Sequence, residues 1–123
     1  CLWSYEFFKL LNEHLEGDGL ILTYSTSASI RAAMVEAGFE IGNIYNERLN
    51  RFTGTVAAKN KNQIKYPLSE YDLGLLKTKA GIFYRDENLN SLNEAINKTR
   101  KIEVENSNRI SSSHYKKYFN KNL

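Results

Sequence analysis

The sequence holds one cysteine, Cys1. No disulfide can form within the chain, and such usage fits a reducing, cytosolic setting. Long apolar runs are missing: nothing approaches the ~20 residues of a membrane span, and no charged-then-apolar leader opens the chain. A glycine-rich cofactor loop is missing as well. The one GxG, Gly17-Asp18-Gly19, follows a helical pattern and precedes a strand-like run. A cofactor loop needs the reverse order, so that amides at a helix start face the ligand; this GxG reads as a helix stop and turn. There is no P-loop lysine pattern, and Ser25 lacks the GxSxG elbow of a nucleophilic serine. His14 and His114 stand far apart with no cysteine or carboxylate cluster at ligand spacing, which argues against a metal site. No catalytic residue is assigned.

What the chain does have is enough apolar residue, 41% against 25% charged, to build a packed core over its 123 residues, one domain or part of one. It opens on Cys1 rather than methionine and enters an amphipathic pattern within three residues, so a chain cut upstream is expected. The net charge of +3 is unevenly laid out. Residues 1–47 carry two basic and seven acidic side chains, and residues 48–66 carry five basic and no acidic ones. Residues 67–97 sum to −2 and residues 98–123 to +5. Two basic blocks fit a nucleic-acid partner, or are solvated lysines and arginines on a hairpin and a tail.

Periodicity supplies the elements. Trp3, Phe7, Leu11 and Leu15 recur at helical spacing with Phe8 and Leu10 on the flank; Ser4 caps the start and Gly17 the end. Leu20 to Tyr24 has no polar alternation, which predicts a strand covered on both faces, as in a parallel sheet. The next helix is capped by Thr26 or Ser27, with Ala28, Ile30, Ala33, Met34 and Ala37 as its apolar stripe and Gly38 as its stop. Phe39–Tyr45 and Phe52–Lys59 read as strands joined by the polar run Asn46–Arg51, short enough to favour an antiparallel pair. A polar linker follows, then a short helix capped by Ser69 and closed by Gly81, a helix with Ser91 and Glu94 as capping box, and a basic tail or short helix from Ser111. The fold class expected is α/β: the closing half of an open sheet with an antiparallel edge hairpin, then a small helical extension. The divisions are 1–60, 61–104 and 105–123.

In such sheets ligands sit outside the carboxyl ends of the strands. Tyr24 and Ser25 occupy that place, Tyr24 able to stack on a base and Ser25 to bond to one, unless the Ser25–Ser27 run only caps the next helix. Arg31, one turn into that helix, could reach a phosphate, pair with Glu36 or stay solvated.

These residues resemble a known family. "LWSYEFFKLLNEHLEGDGLILTYSTSASIRAAMVEAGFEIG" is similar to the later part of the MnmC-like S-adenosylmethionine-dependent tRNA methyltransferases. The likeness lies in the Leu2-Trp3 pair, an aromatic at Phe7 or Phe8, and the Gly17–Gly19 turn. It continues through Thr23-Tyr24-Ser25, Arg31 and Ala37-Gly38-Phe39, and covers residues 2–58. "PLSEYDLGLLKTKAGIFYRD" resembles the C-terminal extension of stand-alone members.

The resemblance implies a Rossmann-like, cytoplasmic enzyme that methylates an aminomethyl group on the wobble uridine of tRNA. The family's cofactor loop and acidic motif precede the Leu-Trp pair. The chain is therefore expected to be an inactive fragment that does not bind S-adenosylmethionine, its partners being tRNA and the missing N-terminal half of the same protein. Substrate contacts would fall to Tyr24, Ser25 and Arg31. tRNA contacts would fall to Arg48, Arg51, Lys116 and Lys117, although the family's Arg-Lys-Arg stretch ahead of the last strand is here reduced to Arg48 and Arg51. The alternatives are a small RNA-binding module without catalysis and a bare protein-interaction domain.

Overall fold

The computed structural model describes residues 3–86 and 93–121. The first helix, α1 (Tyr5–His14), begins where Ser4 Oγ accepts the Phe7 N–H at 3.2 Å, the cap its position predicts. Its buried face centres on Phe8, which is fully enclosed, while Trp3 and Leu10 stay well exposed. The turn through Gly17–Gly19 leads into strand β1 (Leu20–Thr23), and helix α2 (Ala28–Glu36) follows. Gly38, at φ 99°, stops α2: its N–H donates to the Val35 carbonyl and the Phe39 N–H to the Met34 carbonyl, both at 3.0 Å. That pair of bonds is the glycine C-cap motif, and it drops Phe39 and Met34 into the core together.

Strands β2 (Glu40–Asn46) and β3 (Arg51–Ala58) form the expected antiparallel hairpin, with an irregularity in register between Ile44 and Tyr45. The order in the sheet corrects the sequence reading. It is β1-β3-β2, and β1 pairs antiparallel with β3, Leu22 opposite Val56. β1 and β2 run parallel but are not neighbours, because β3 turns back between them; the hairpin thus contributes the central strand as well as an edge.

Cover is also uneven. Ile21, Ala57 and Ile41 lie across from one another in the register and face the core built by Phe8, Ala33, Met34, Ala37 and Phe39. On the other face Leu20 and Leu22 are 46% and 65% exposed. The both-face cover expected of an apolar strand is absent here, because α1 and α2 pack on the Ile21 side alone and the far side of β1 meets solvent.

The later residues return to the sheet. Asn60 Nδ2 and Gln63 Nε2 donate to the Gly17 and Asp18 carbonyls, at 3.2 and 2.9 Å. The Asn43 N–H donates to the Tyr66 carbonyl, and Pro67 forms an isolated bridge with Gly42. Helix α3 (Glu70–Leu75) starts at Ser69, whose Oγ accepts the Asp72 N–H at 3.1 Å. It ends at Leu75; Gly81 lies beyond it, in a 3-10 turn over Lys79–Gly81. Residues 84–86 come back to α1: the Tyr5 N–H donates to the Tyr84 carbonyl, and Glu6 takes Arg85 Nε at 2.6 Å and the Asp86 N–H. Helix α4 (Asn93–Asn106) buries Ile96; the Ser91 and Leu92 of its expected start lie outside the described residues, as do Cys1 and Leu2. Helix α5 (Ser112–Lys121) resolves the tail-or-helix alternative: it packs through Tyr115 and Phe119 on Tyr71 of α3.

Candidate functional site

The junction from β1 to α2 is a chain of hydroxyls. Thr23 Oγ1 accepts the Ser25 N–H and Ser25 Oγ accepts the Ser27 N–H, both at 3.1 Å, and the Ser27 and Ser29 hydroxyls meet at 2.9 Å. Ser27 is the N-terminal cap residue of α2 by position, but its hydroxyl bonds Ser29 rather than a helix amide. Ser25 keeps a hydroxyl proton to donate beyond this turn. Tyr24 is 90% exposed and borders a hollow of about 310 Å³ lined with Leu22, Thr23 and Ile44. On the far side of the junction lies a cleft of about 580 Å³, bounded by Ser27, Ser29 and Ile30 on α2 and by Trp3, Tyr84 and Asn97.

Arg31 is held inside the fold. It is 4% exposed. Its Nε donates to Thr55 Oγ1 at 2.8 Å, and its Nη2 to Asn43 Oδ1 at 2.9 Å and to the Gly54 carbonyl at 3.5 Å; Nη1 stands 4.0 Å from the Asp72 carboxylate. Burial draws the guanidinium's pKa below its ordinary value, and the Asp72 charge opposes that shift. The solvated reading and the pairing with Glu36 do not describe this: the side chain is buried and its donors serve β2 and β3. It acts as a fork that fixes α2 to the sheet.

Arg48 and Arg51 are exposed at the turn between β2 and β3, and Lys116 and Lys117 are exposed on α5. The two basic blocks thus stand on separate elements. Beside the first lies a group that sequence reasoning missed. The rings of Tyr45, Phe52 and Tyr66 meet with centroids 5.7–5.8 Å apart, and the Lys65 ammonium lies 5.4 Å from the Tyr66 centroid. Tyr45 and Phe52 flank the turn and pair across the hairpin, so that contact was legible once the hairpin was drawn. Tyr66 arrives from outside the sheet and left no such signal.

The Gly17–Gly19 turn sits at the C-terminal end of α1, and the strand-to-helix junction carries hydroxyls in place of glycines. The described residues thus carry no glycine-rich loop at the strand-to-helix junction. Among them, no group of three or more His, Cys, Asp or Glu could hold a metal ion, and no helix is long and apolar enough to cross a membrane.

The model of a family described as S-adenosyl-L-methionine-dependent methyltransferase matches residues 1–60. Those residues are similar to that family. The match spans α1 to β3, the α/β part of the fold with its hydroxyl junction and the Arg31 fork. The chain is also similar to an uncharacterized protein of Methanocaldococcus jannaschii, 31% identical over 97 residues, which are 77% of this chain and 27% of that protein. Among solved structures it resembles MNMC2 from Aquifex aeolicus with a TM-score of 0.73 and 26% identity, over 86% of this chain and 34% of the other. That likeness extends past residues 1–60 into the residues after β3. The chain spans about a quarter to a third of the length of these relatives.

Proposed function

We infer that the chain is the C-terminal part of an S-adenosylmethionine-dependent tRNA methyltransferase acting on an aminomethyl group of wobble uridine, and that it is inactive alone. The observation that carries this reading is the open side of β1. A segment similar to methyltransferases, in which β1 has no second partner among the described strands, is suited to receive a further strand of a larger sheet at that edge, and the exposed Leu20–Leu22 face to be covered by the rest of it. The short span against the relatives supports the same view.

Methyl transfer to an amine depends on placing the nitrogen lone pair in line with the methyl donor, with a base positioned to take the proton. In this reading the chain supplies wall rather than base. Tyr24 would stack on the substrate base and Ser25 would donate to it; Arg31 would hold the junction that presents both. Arg48, Arg51, Lys116 and Lys117 would meet phosphates of the tRNA in the cytoplasm.

Calorimetry and a methyl-transfer assay test this with the chain alone and with the chain joined to the rest of its domain. Expected are no cofactor heat and no transfer from the chain alone, and transfer to tRNA from the joined protein. Low-micromolar cofactor binding by the chain alone overturns the inactivity, and a joined protein that spares tRNA overturns the substrate. A second reading, an RNA-binding module without catalysis, is supported by the exposed arginines and lysines. It requires tRNA binding by the chain alone with steep salt dependence.

A further inference from the structure

The tip of the β2–β3 hairpin combines two properties that serve different purposes in a folded protein. Phe52 stands steeply to both of its partners, at 76° to Tyr45 and 60° to Tyr66, which are themselves tilted by 42°. Such edge-on packing stabilises a hairpin, yet it leaves Phe52 50% exposed. The sequence around these rings is cationic. Arg48, Arg51 and Lys65 are all exposed, and residues 48–66 contain no acidic side chain; Glu47 on the turn is the nearest carboxylate in sequence. A half-exposed aromatic ring on a hairpin that carries exposed cations has the chemistry of a base-stacking platform. The ring accepts the face of any base, and the cations follow the backbone phosphates. A paired strand offers phosphates but keeps its base faces inside the stack, so the rings discriminate for unpaired nucleotides.

We propose that Tyr45, Phe52 and Tyr66, with Arg48, Arg51 and Lys65, form a binding site for an unpaired RNA segment, with Phe52 as the stacking residue. The site deepens the RNA part of the reading above by stating where and in what form the RNA is held, but it does not require methyl transfer by any form of the protein.

The test uses the unaltered chain and an unstructured oligoribonucleotide of about 12 nucleotides, within the site sizes usual for such surfaces. A blunt RNA duplex of equal length is the control, and binding is read by fluorescence anisotropy across a salt series. The single strand is expected to bind more tightly than the duplex. Phe52→Leu, which keeps apolar bulk and removes the ring face, is expected to weaken binding about 5- to 100-fold with its salt slope unchanged. Phe52→Trp is expected to restore it. Arg51→Gln is expected to lower the salt slope by about 0.7. In parallel, a thiouridine-containing strand is photocrosslinked to the unaltered chain and the adducts are mapped; adducts within residues 45–66 are expected. Equal binding of duplex and single strand, an unaffected Phe52→Leu, or adducts confined to α5 would each overturn the site. A catalytically silent joined protein would sink the methyltransferase reading while leaving these measurements intact.

Discussion

Arg31 Nε donates to Thr55 Oγ1 at 2.8 Å, and that hydroxyl in turn donates to the Ser25 carbonyl at 2.7 Å. Thr55 is fully buried. One side chain on the central strand thus joins the helix that follows the junction to the junction itself. The consequence is positional: Tyr24 and Ser25 are presented by a backbone anchored on both sides, so the most exposed part of the candidate site stands on a buried polar support.

Arg31→Leu removes the donors to Thr55, Asn43 and Gly54 while leaving those acceptors buried. Unfolding in urea is expected to show a loss of about 2–4 kcal/mol. Arg31→Lys should recover only part of it, because one ammonium cannot reach partners held by Nε and Nη2 together. A lysine variant with the unaltered midpoint would show that charge, and not the fork, is what the site needs.

Gly42 lies on β2 where the chain through Tyr66 crosses the sheet. A Cβ there would strike Ile64 Cγ2 and come within 2.6 Å of the Tyr66 carbonyl oxygen. Gly42→Ala is expected to cost about 1–3 kcal/mol, the usual scale for overpacking. It should also raise hydrogen exchange at Asn43, whose N–H donates to that same carbonyl. A variant that melts with the unaltered chain would mean that residues 64–67 yield freely.

Alkaline pH should act on α5. Tyr115 donates its hydroxyl to the Tyr71 carbonyl at 3.0 Å. Its pKa is raised, first by burial and then by Tyr71, Asp72 and Glu70. A raised folded value means that the contribution is complete below the ordinary tyrosine range near 10 and fades as pH climbs through the folded value. Far-UV circular dichroism is expected to show helix loss in that range, and Tyr115→Phe, which cannot ionise, should show less of it.

β1 presents both the exposed apolar face of Leu20 and Leu22 and an edge with no partner among the described strands. In isolation the chain is expected to self-associate as its concentration rises, and Leu22→Lys to reverse this by placing a charge on the face. Light scattering decides: a monomer at all concentrations for the unaltered chain removes the premise.

Legibility followed the range of the interactions. The caps at Ser4 and Ser69 and the stop at Gly38 are settled by residues a few positions away, and each could be read directly. The hairpin was legible from the polar run between its strands. Leu20–Thr23 announced a strand, but its partner is chosen by tertiary packing, and an apolar run cannot report which face stays open. Arg31 was opaque for the same reason: among alanines it reads as surface, and its burial depends on acceptors 12 and 24 residues distant. The stretch from Ser111 fits a tail or a short helix in sequence, because Tyr71, which seats the helix, lies 44 residues before Tyr115.

Because β3 is made last and lies in the middle, synthesis and assembly of the sheet run out of order. As the chain leaves the ribosome, β1 and β2 emerge without a ladder partner among the described strands and must wait for Arg51–Ala58. The α1–α2 face can gather around Phe8 before then, but neither β1 nor β2 can take up its place beside β3. A nascent chain stalled ahead of Arg51 forfeits both ladders together, which makes this stretch of translation the interval in which a chaperone has most to shield.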